Sequence, residues 1–328
     1  MIISKTPYRI PLSGGGTDLD FYYKKKGCEL YSIAINQYVY VCLHSRQIDS
    51  NFLIQTTDTQ FVKNLDKIKH QLIRETLKFF NLKEKLHVAT YTTVPTNTGL
   101  GSSSAMVIGL INCICKFKNL KLSNLQIIKK AFMIERKICN QYGGWQDQVI
   151  SQKGGLVKLN ISKSERMKIL KLKINTNIER KIKNNFLLVY TKVKRYSSEV
   201  SLSQKKRRSQ IIGHYDEIKT LNEKIINALK NKKVIELARL FNKHWSIKKK
   251  LSDKISDKKI NKFYYNLLKK INFSGGKLIG AGGGGFFLMI TNNKSKTIKL
   301  LQKNNIGYIN FNIDKKGSRI IENLPTNG

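Results

Sequence analysis

Long hydrophobic runs are the first feature that this sequence lacks. No window approaches the roughly 18 to 20 consecutive apolar residues that a helix needs to span a bilayer. The opening stretch, residues 1–7, also has no long apolar core of the kind found in secretory signals. These two absences predict a soluble protein that stays in the cytoplasm.

Cysteine and proline are also scarce, with 5 and 4 residues in a chain of 328. The cysteines are odd in number and have no CxxC spacing, which indicates reduced thiols rather than disulfides or a metal site. The apolar share of 41% is enough to bury two hydrophobic cores in a chain of this length. We therefore expect two domains.

Acidic residues are few, 21 against 61 basic ones, and the formal net charge is +40. A charge of this size raises the possibility of nucleic-acid binding. However, only 11 of the basic residues are arginine, the side chain favoured for forked contacts with phosphates and bases. No RNP, KH or zinc-finger pattern is present. We expect an attraction for anionic substrates, and no nucleic-acid partner.

Strands and helices alternate along the sequence without a strict βαβ repeat, which favours an α+β fold. The apolar and β-branched patterns are clearest in two predicted strands and two predicted helices, 86–92, 286–290, 103–117 and 294–303. A lysine-rich stretch with weak periodicity, 162–185, is interpreted as a linker, and 204–230 as one long helix. The predicted domains are 1–183 and 184–328.

The stretch 95–105, Pro-Thr-Asn-Thr-Gly-Leu-Gly-Ser-Ser-Ser-Ala, has the properties of a phosphate-binding loop. Gly99 and Gly101 allow the backbone to pass close to a ligand, and three serines add hydroxyl groups. An apolar helix follows directly, so its free N–H groups and the positive end of its dipole point at the loop. The alternative is a serine cap on a core helix after a glycine turn.

A second glycine-dense turn, 277–285, lies between two apolar segments. So many glycines cost conformational entropy when the chain folds, which suggests that the backbone approaches something closely. A ligand and a neighbouring strand are both consistent with this pattern.

A third glycine cluster, 13–18, ends in the carboxylate of Asp18. A carboxylate held beside a glycine loop is a natural acceptor for sugar hydroxyl groups, and a simple Asx turn is the alternative.

Two carboxylates in the middle of this acid-poor chain form the fourth feature. Glu135 lies in the later turns of a basic and apolar helix, where the helix dipole disfavours a negative charge. Asp147 follows the Gly143-Gly144 break. Such carboxylates can bind Mg²⁺ and accept a proton. For each residue alone, a surface salt bridge is the alternative.

Together and in this order, the four features resemble the GHMP kinase superfamily, which includes galactokinase and mevalonate kinase. The family motifs are an N-terminal substrate segment, a Pro-x3-GLGSSA loop and a C-terminal glycine loop. Here they correspond to 6–18, 95–105 and 277–285, so the resemblance spans nearly the whole chain. It implies an amino-terminal domain like ribosomal protein S5 domain 2, carrying ATP binding and catalysis, and a ferredoxin-like carboxy-terminal domain that completes the cleft.

Within the superfamily, the chain looks like the sugar 1-kinases. Arg9 stands nine residues before Asp18 and Glu135 stands twelve before Asp147, spacings typical of galactokinase-type enzymes. The segments Gly-Gly-Gly-Thr-Asp at 14–18 and Gly-Trp-Gln-Asp-Gln at 144–148 are similar to those of the heptose 7-phosphate kinases. A fucose- or mannose-type kinase is the alternative, and a non-catalytic basic binding protein on the same scaffold is a further one.

The resemblance also implies roles for individual residues, with ATP as the phosphoryl donor and Mg²⁺ as the cofactor. Asp147 would be the base, and Arg9 would lie beside the transferred phosphoryl group and lower the pKa of Asp147. Ser103 and Glu135 would hold Mg²⁺. The ATP-binding residues would be Pro95, Gly99, Leu100, Gly101, Ser102, Ser103, Ser104, Gly282 and Gly283. The sugar-binding residues would be Gly16, Thr17, Asp18, Gly144, Gly284 and Arg195. A distal phosphate would be bound by Lys192, Lys194 and Arg195 beside Ser197 and Ser198.

Overall fold

The computed structural model describes residues 1–323 except 47, 49, 194–196 and 232. The strands are β1 (Ile2–Ser13), β2 (Cys28–Ser45), β3 (Phe52–Gln55), β4 (Thr59–Val62), β5 (Leu86–Thr92), β6 (Leu156–Ile161), β7 (Met167–Leu172), β8 (Phe186–Tyr190), β9 (Gly275–Leu278), β10 (Phe286–Ile290), β11 (Tyr308–Ile309) and β12 (Arg319–Asn323). The helices are α1 (Asp20–Lys26), α2 (Gln71–Phe79), α3 (Ser102–Phe117), α4 (Asn124–Phe132), α5 (Gln146–Lys153), α6 (Thr176–Asn185), α7 (Ser197–Lys206), α8 (Arg208–Thr220), α9 (Asn222–Lys230), α10 (Val234–Lys249), α11 (Lys258–Lys269) and α12 (Lys294–Lys303). A 3₁₀ turn, Leu65–Lys67, and a π-helical turn, Met133–Ile138, complete these elements.

The first sheet is built around the long strand β2, which is rich in the β-branched and aromatic residues that favour strands. The strand order is β12-β1-β2-β5-β3-β4, and all of these neighbours are antiparallel except β3 and β5. The first part of β2, 28–33, pairs with β6, and its second part, 39–45, pairs with β5. β7 adds to the free side of β6. One strand thus connects the two ends of this sheet.

The second sheet has the order β11-β8-β10-β9 and is antiparallel. Helix α10 packs against β9 and β10. β8 and β10 are buried almost throughout, so their apolar runs carry no alternation. Two largely antiparallel sheets with separate helices confirm the α+β fold expected from the sequence.

Helix α3 fixes the position of the loop that precedes it. The helix is buried on nearly all sides and packs against β1 and β2. Gly109 makes this close approach possible, because a Cβ atom there would lie 2.8 Å from the hydroxyl of Ser4. The first turn of α3 is therefore held beside the middle of β1.

The last strand returns to the first sheet. β12 pairs with β1, with Ile2 opposite Asn323, and the amide of Asp314 donates to the carbonyl of Ala34 at 3.0 Å. The division into 1–183 and 184–328 stays a prediction, and we propose that β12 belongs with the first unit.

Two predictions about secondary structure are wrong. The stretch interpreted as a linker, 162–185, contains β7 and α6. β7 is a half-exposed edge strand that depends on β6 for its hydrogen bonds, so its pattern is weak. The predicted helix 204–230 is instead covered by three helices, α7 to α9, which are interrupted at Arg207 and at Leu221. None of the helices in the described part of the chain is long and apolar enough to cross a membrane.

Candidate active site

The glycine loop 95–101 lies directly against β1. The amide of Arg9 donates to the carbonyl of Leu100 at 3.1 Å, and the hydroxyl of Thr98 donates to the carbonyl of Pro95 at 2.9 Å. Gly101 caps α3 with a φ of 82°, in the left-handed region that favours glycine. The free N–H groups of the first turn of α3 therefore begin beside Arg9, as an anion-binding helix end requires.

Arg9 and Asp147 form a partly buried ion pair at this loop. Arg9 Nε lies 2.6 Å from Asp147 Oδ1, and Arg9 Nη1 donates to the carbonyl of Gly99 at 2.6 Å. The Arg9 side chain is 6% exposed and that of Asp147 is 22% exposed. A Cβ atom at Gly101 would lie 3.4 Å from both Arg9 Cγ and Asp147 Oδ2. The ion pair and the loop are thus in van der Waals contact, and the carboxylate has the more open side.

The first turn of α5 also contacts Asp18. The amide of Gln146 donates to Asp18 Oδ2 at 2.9 Å, so Asp18 caps this helix from a different part of the chain. A Cβ atom at Gly144 would lie only 2.1 Å from the same oxygen. Any residue other than glycine at this position would therefore require Asp18 to move. Burial raises the pKa of Asp18, the charge of Asp147 raises it further, and the Gln146 hydrogen bond opposes the rise.

Glu135 is brought to the same place by the π-helical turn Met133–Ile138. Turns of this kind insert one extra residue into a helix and are frequent at functional sites. Glu135 is fully buried and accepts hydrogen bonds from the hydroxyl of Ser104 at 2.9 Å and from the side-chain amide of Gln148. Burial raises its pKa, and the guanidinium of Arg136, 4.0 Å away, opposes the rise.

The residues around Glu135 fit a divalent cation. A buried carboxylate with a raised pKa is stabilised in its charged form by an added positive charge. Gln148 Oε1 is also buried and accepts no hydrogen bond from the described residues. No group of three His, Cys, Asp or Glu suited to a metal occurs in the described chain. This donor set suits Mg²⁺, which usually takes one or two protein ligands and completes its shell with phosphates and water.

Ser103 is exposed on the first turn of α3, whereas its neighbour Ser104 is buried and contacts Glu135. The sequence-based assignment gave the magnesium role to Ser103. Ser104 is therefore the serine of this turn that donates to Glu135, whereas Ser103 is open to solvent.

The second glycine turn packs against the first. A Cβ atom at Gly285 would lie 2.2 Å from the carbonyl oxygen of Thr98. The amide of Gly283 donates to Ile255 at 2.8 Å, and a Cβ atom at Gly284 would lie 2.5 Å from the carbonyl oxygen of Val193. Close backbone packing, one of the two interpretations of this turn, therefore occurs, and it closes one side of the site.

The other residues assigned to sugar binding differ in burial, and some of them shape the loop instead of facing an open space. The hydroxyl of Thr17 is buried and donates to the carbonyl of Gly14 at 2.7 Å, so it shapes the loop. Gly16 packs against the ring of Tyr215, which lies 2.5 Å from its would-be Cβ. Lys192 is exposed. Arg195, like Lys194, lies outside the described residues.

Sequence reasoning missed two residues of this cluster, Gln148 and Arg136. Gln148 is fully buried and joins Glu135 to α5, and a Cβ atom at Gly143 would lie 2.8 Å from the guanidinium carbon of Arg136. A usable signal existed for Gln148, because a glutamine stands on each side of Asp147 in the sequence, and the structure buries both. Polar residues in a buried helix need partners, and that requirement points to a polar cluster.

Comparison with known proteins places this geometry in a family. Residues 66–155 match the sequence profile described as the GHMP kinases N terminal domain, and these residues include the phosphate loop, Glu135 and Asp147. This segment of the chain is a GHMP kinase N-terminal domain. The expected family and the expected enzyme class, an ATP-dependent phosphotransferase, are thereby confirmed.

Proteins similar to this chain include both curated proteins and solved structures. The D-glycero-alpha-D-manno-heptose 7-phosphate kinase of Campylobacter jejuni is 28% identical over 336 residues, covering 96% of this chain and 97% of that protein. The crystal structure of a D-glycero-D-manno-heptose 1-phosphate kinase from Bacteroides thetaiotaomicron superimposes with a TM-score of 0.81 at 21% identity, over 99% of this chain and 100% of that one. A putative sugar kinase from Campylobacter jejuni has a TM-score of 0.75 at 26% identity, with 97% of both chains covered.

Proposed function

We propose that this GHMP kinase transfers the γ-phosphoryl group of ATP to the anomeric hydroxyl of D-glycero-D-manno-heptose 7-phosphate. The product would be the 1,7-bisphosphate, a precursor for nucleotide-heptose and surface-glycan synthesis in the cytoplasm. The observation that carries the proposal is the contact of the Arg9–Asp147 ion pair with the phosphate loop. A carboxylate and a guanidinium beside a phosphate loop are the groups that phosphoryl transfer to an alcohol requires.

In the proposed reaction, Asp147 orients the anomeric hydroxyl and accepts its proton as the new O–P bond forms. The bond between the γ-phosphorus and the bridging oxygen breaks, and ADP leaves with that oxygen. Arg9 donates hydrogen bonds to the transferred group and stabilises its charge. Arg9 is itself held by the carbonyl of Gly99, so its guanidinium is oriented before the substrate binds. Asp18 would accept hydrogen bonds from the sugar ring.

Glu135 and Ser103 would hold Mg²⁺ in this proposal. When bound, the ion supplies positive charge that neutralises the phosphate oxygens. Gln148 and Ser104 fix the carboxylate of Glu135 from the inner side, so that it does not need to reorganise when the nucleotide binds.

The acceptor is proposed from the curated relative at 28% identity and from the glycine loop with Asp18. The distal phosphate would bind near residues 192–195. Val193 packs against Gly284 and accepts a hydrogen bond from the amide of Gly285 at 3.1 Å, so Val193 borders the glycine turn. Lys192 is exposed at that border, where its charge is available to an anionic group.

A coupled ADP-release assay over a panel of acceptors tests the proposal. The panel should contain heptose 7-phosphate, the unphosphorylated heptose, fucose, mannose and mevalonate. Turnover with heptose 7-phosphate that exceeds the others supports it, and ³¹P–¹H coupling in the product should assign the new phosphate to the anomeric carbon. Preference for fucose or mannose would replace the proposed acceptor, and no ADP release with any acceptor would refute the activity.

A further inference from the structure

A buried lysine joins the two halves of the molecule next to the site. Lys277 lies on β9 and is 1% exposed, and its amine donates to the carbonyl oxygen of Leu12 at 2.6 Å. Leu12 has no partner in the register between β1 and β2, which shifts between Pro11 and Ser13. A bulge of this kind leaves a backbone group outside the ladder. The lysine satisfies this carbonyl from the opposite domain.

The surroundings of Lys277 do not stabilise a charge. His244 of α10 lies within reach of the charge of Lys277, and the ring of Phe241 lies 5.1 Å from the amine. No ion pair joins Lys277 to a carboxylate within the described residues. Burial lowers its pKa to about 7. An apolar side chain would fill this space at lower cost, so core packing does not account for an amine here.

Both chain segments that Lys277 joins lead into the site. The residues after Leu12 form the loop 13–18 that ends in Asp18, and the residues after Lys277 form the second glycine turn. Lys248 makes a parallel contact, since its amine donates to the carbonyls of Leu278 at 2.9 Å and Gly280 at 2.5 Å. One buried lysine therefore supports the glycine turn, and the other connects it to the start of the sugar loop.

We propose that Lys277 is a positioning residue that holds the loop 13–18, and with it Asp18, at a fixed place relative to the phosphate loop. The sugar phosphate is the ligand that depends on it, so this role rests on the proposed function. Lys277 acts through the carbonyl of Leu12 and does not itself contact the substrate.

The test compares Lys277→Met with a matched control. Lys181 is also buried, at 5% exposed, and its amine donates to the carbonyl of Ala228 at 3.0 Å, but it joins α6 to α9 away from both loops. Lys277→Met should raise the KM for heptose 7-phosphate roughly tenfold while the Kd for ATP changes by less than about twofold. Lys181→Met should change neither value. An unchanged acceptor KM in Lys277→Met would overturn the proposal.

Two further measurements are needed. The first distinguishes a positioning role of Lys277 from a role in folding, and the second tests the positioning role without depending on the proposed acceptor. In Lys277→Met, the loss of one hydrogen bond destabilises the fold, and the removal of a buried amine stabilises it by a similar amount. The Tm of this variant should therefore stay within about 3 °C of the wild type. A variant that fails to fold would show a structural role and overturn the proposal.

Hydrogen exchange needs no acceptor, so it remains decisive if no sugar phosphate is turned over. The amides of Thr17 and Leu19 donate to the loop carbonyls of Gly14 and Gly16, and both amides should exchange roughly tenfold faster in the variant. Unchanged exchange at these amides would also overturn it.

Discussion

Replacing Gly144 by alanine should separate sugar binding from ATP binding. The new Cβ atom would lie 2.1 Å from Asp18 Oδ2, far inside the roughly 3.5 Å at which nonbonded atoms meet. Asp18 must therefore move, and the hydrogen bond from the amide of Gln146 lengthens or breaks. The backbone at Gly144 is not in the left-handed region, so the effect comes from this contact and not from strain.

The magnitude follows from the hydrogen bonds that depend on the position of Asp18. A hydrogen bond to a charged group contributes about 1.5–3 kcal/mol. Because about 1.4 kcal/mol corresponds to a factor of ten, losing one such bond to the sugar should raise the KM for heptose 7-phosphate by roughly 10- to 150-fold. The Kd for ATP should change by less than about twofold, since no atom of the phosphate loop is displaced.

Steady-state ADP release measures the first value, and calorimetric titration with ATP measures the second. Gly213→Ala is the matched control, because Gly213 is exposed in α8 and a Cβ atom there meets nothing within 4 Å. It should leave the kinetics unchanged and stabilise the helix by about 1 kcal/mol. A wild-type acceptor KM in Gly144→Ala would refute the role of Asp18 in sugar binding.

Three further predictions concern the carboxylates and the serines. Asp147→Asn should lower kcat by about 10²–10⁴-fold with ATP binding retained, and near-normal turnover would remove it as the base. Burial raises the pKa values of Glu135 and Asp18 above their ordinary 4.5 and 3.8, so the ligand-free folded protein binds more protons than the unfolded chain and loses stability as pH rises above this range. Glu135→Gln should flatten this slope in a series of Tm measurements, and an identical slope would contradict the assignment. Ser104→Ala should lower the free energy of unfolding by about 1 kcal/mol through its lost hydrogen bond to Glu135, while Ser103→Ala should instead raise the Mg²⁺ concentration needed for activity. If the two serine variants had equal effects in denaturant unfolding and in magnesium titration, the separate roles given to Ser104 in stability and to Ser103 in magnesium binding would be wrong.

Local sequence patterns predicted the elements whose apolar or β-branched pattern is clear within a short window. The strands Leu86–Thr92 and Phe286–Ile290 and the helix Lys294–Lys303 have the predicted bounds. Each has a composition typical of its class and is bounded by turn or capping residues, such as Asn293 at the start of the helix. The strand β7 was missed because its hydrogen bonds come from β6 and because its two lysines, at 168 and 171, interrupt the apolar pattern. Pairing of this kind depends on the neighbouring strand and cannot be seen in a short window.

The site was predictable to the level of motifs and not to the level of contacts. Glycine spacing and the following apolar helix indicated the phosphate loop, and the scarcity of acids indicated Glu135 and Asp147. The contacts of Glu135 depend on a π-helical turn that shifts the phase of the helix by one residue. No periodicity in the sequence marks that shift, so its pairing with Ser104 and Gln148 required the structure.

The pairing of β12 with β1 has a consequence for the order in which the protein folds. A ribosome makes β1 before β12, and the two paired strands lie more than 300 residues apart in the sequence. Contacts so distant in sequence close large loops, which slows folding and leaves an exposed strand edge in the nascent chain. The strand that carries Arg9 is thus paired on both sides only after β12 has been synthesised. Chaperone dependence and aggregation during expression should therefore respond to changes in residues 319–323, although these residues are far from Asp147 in sequence.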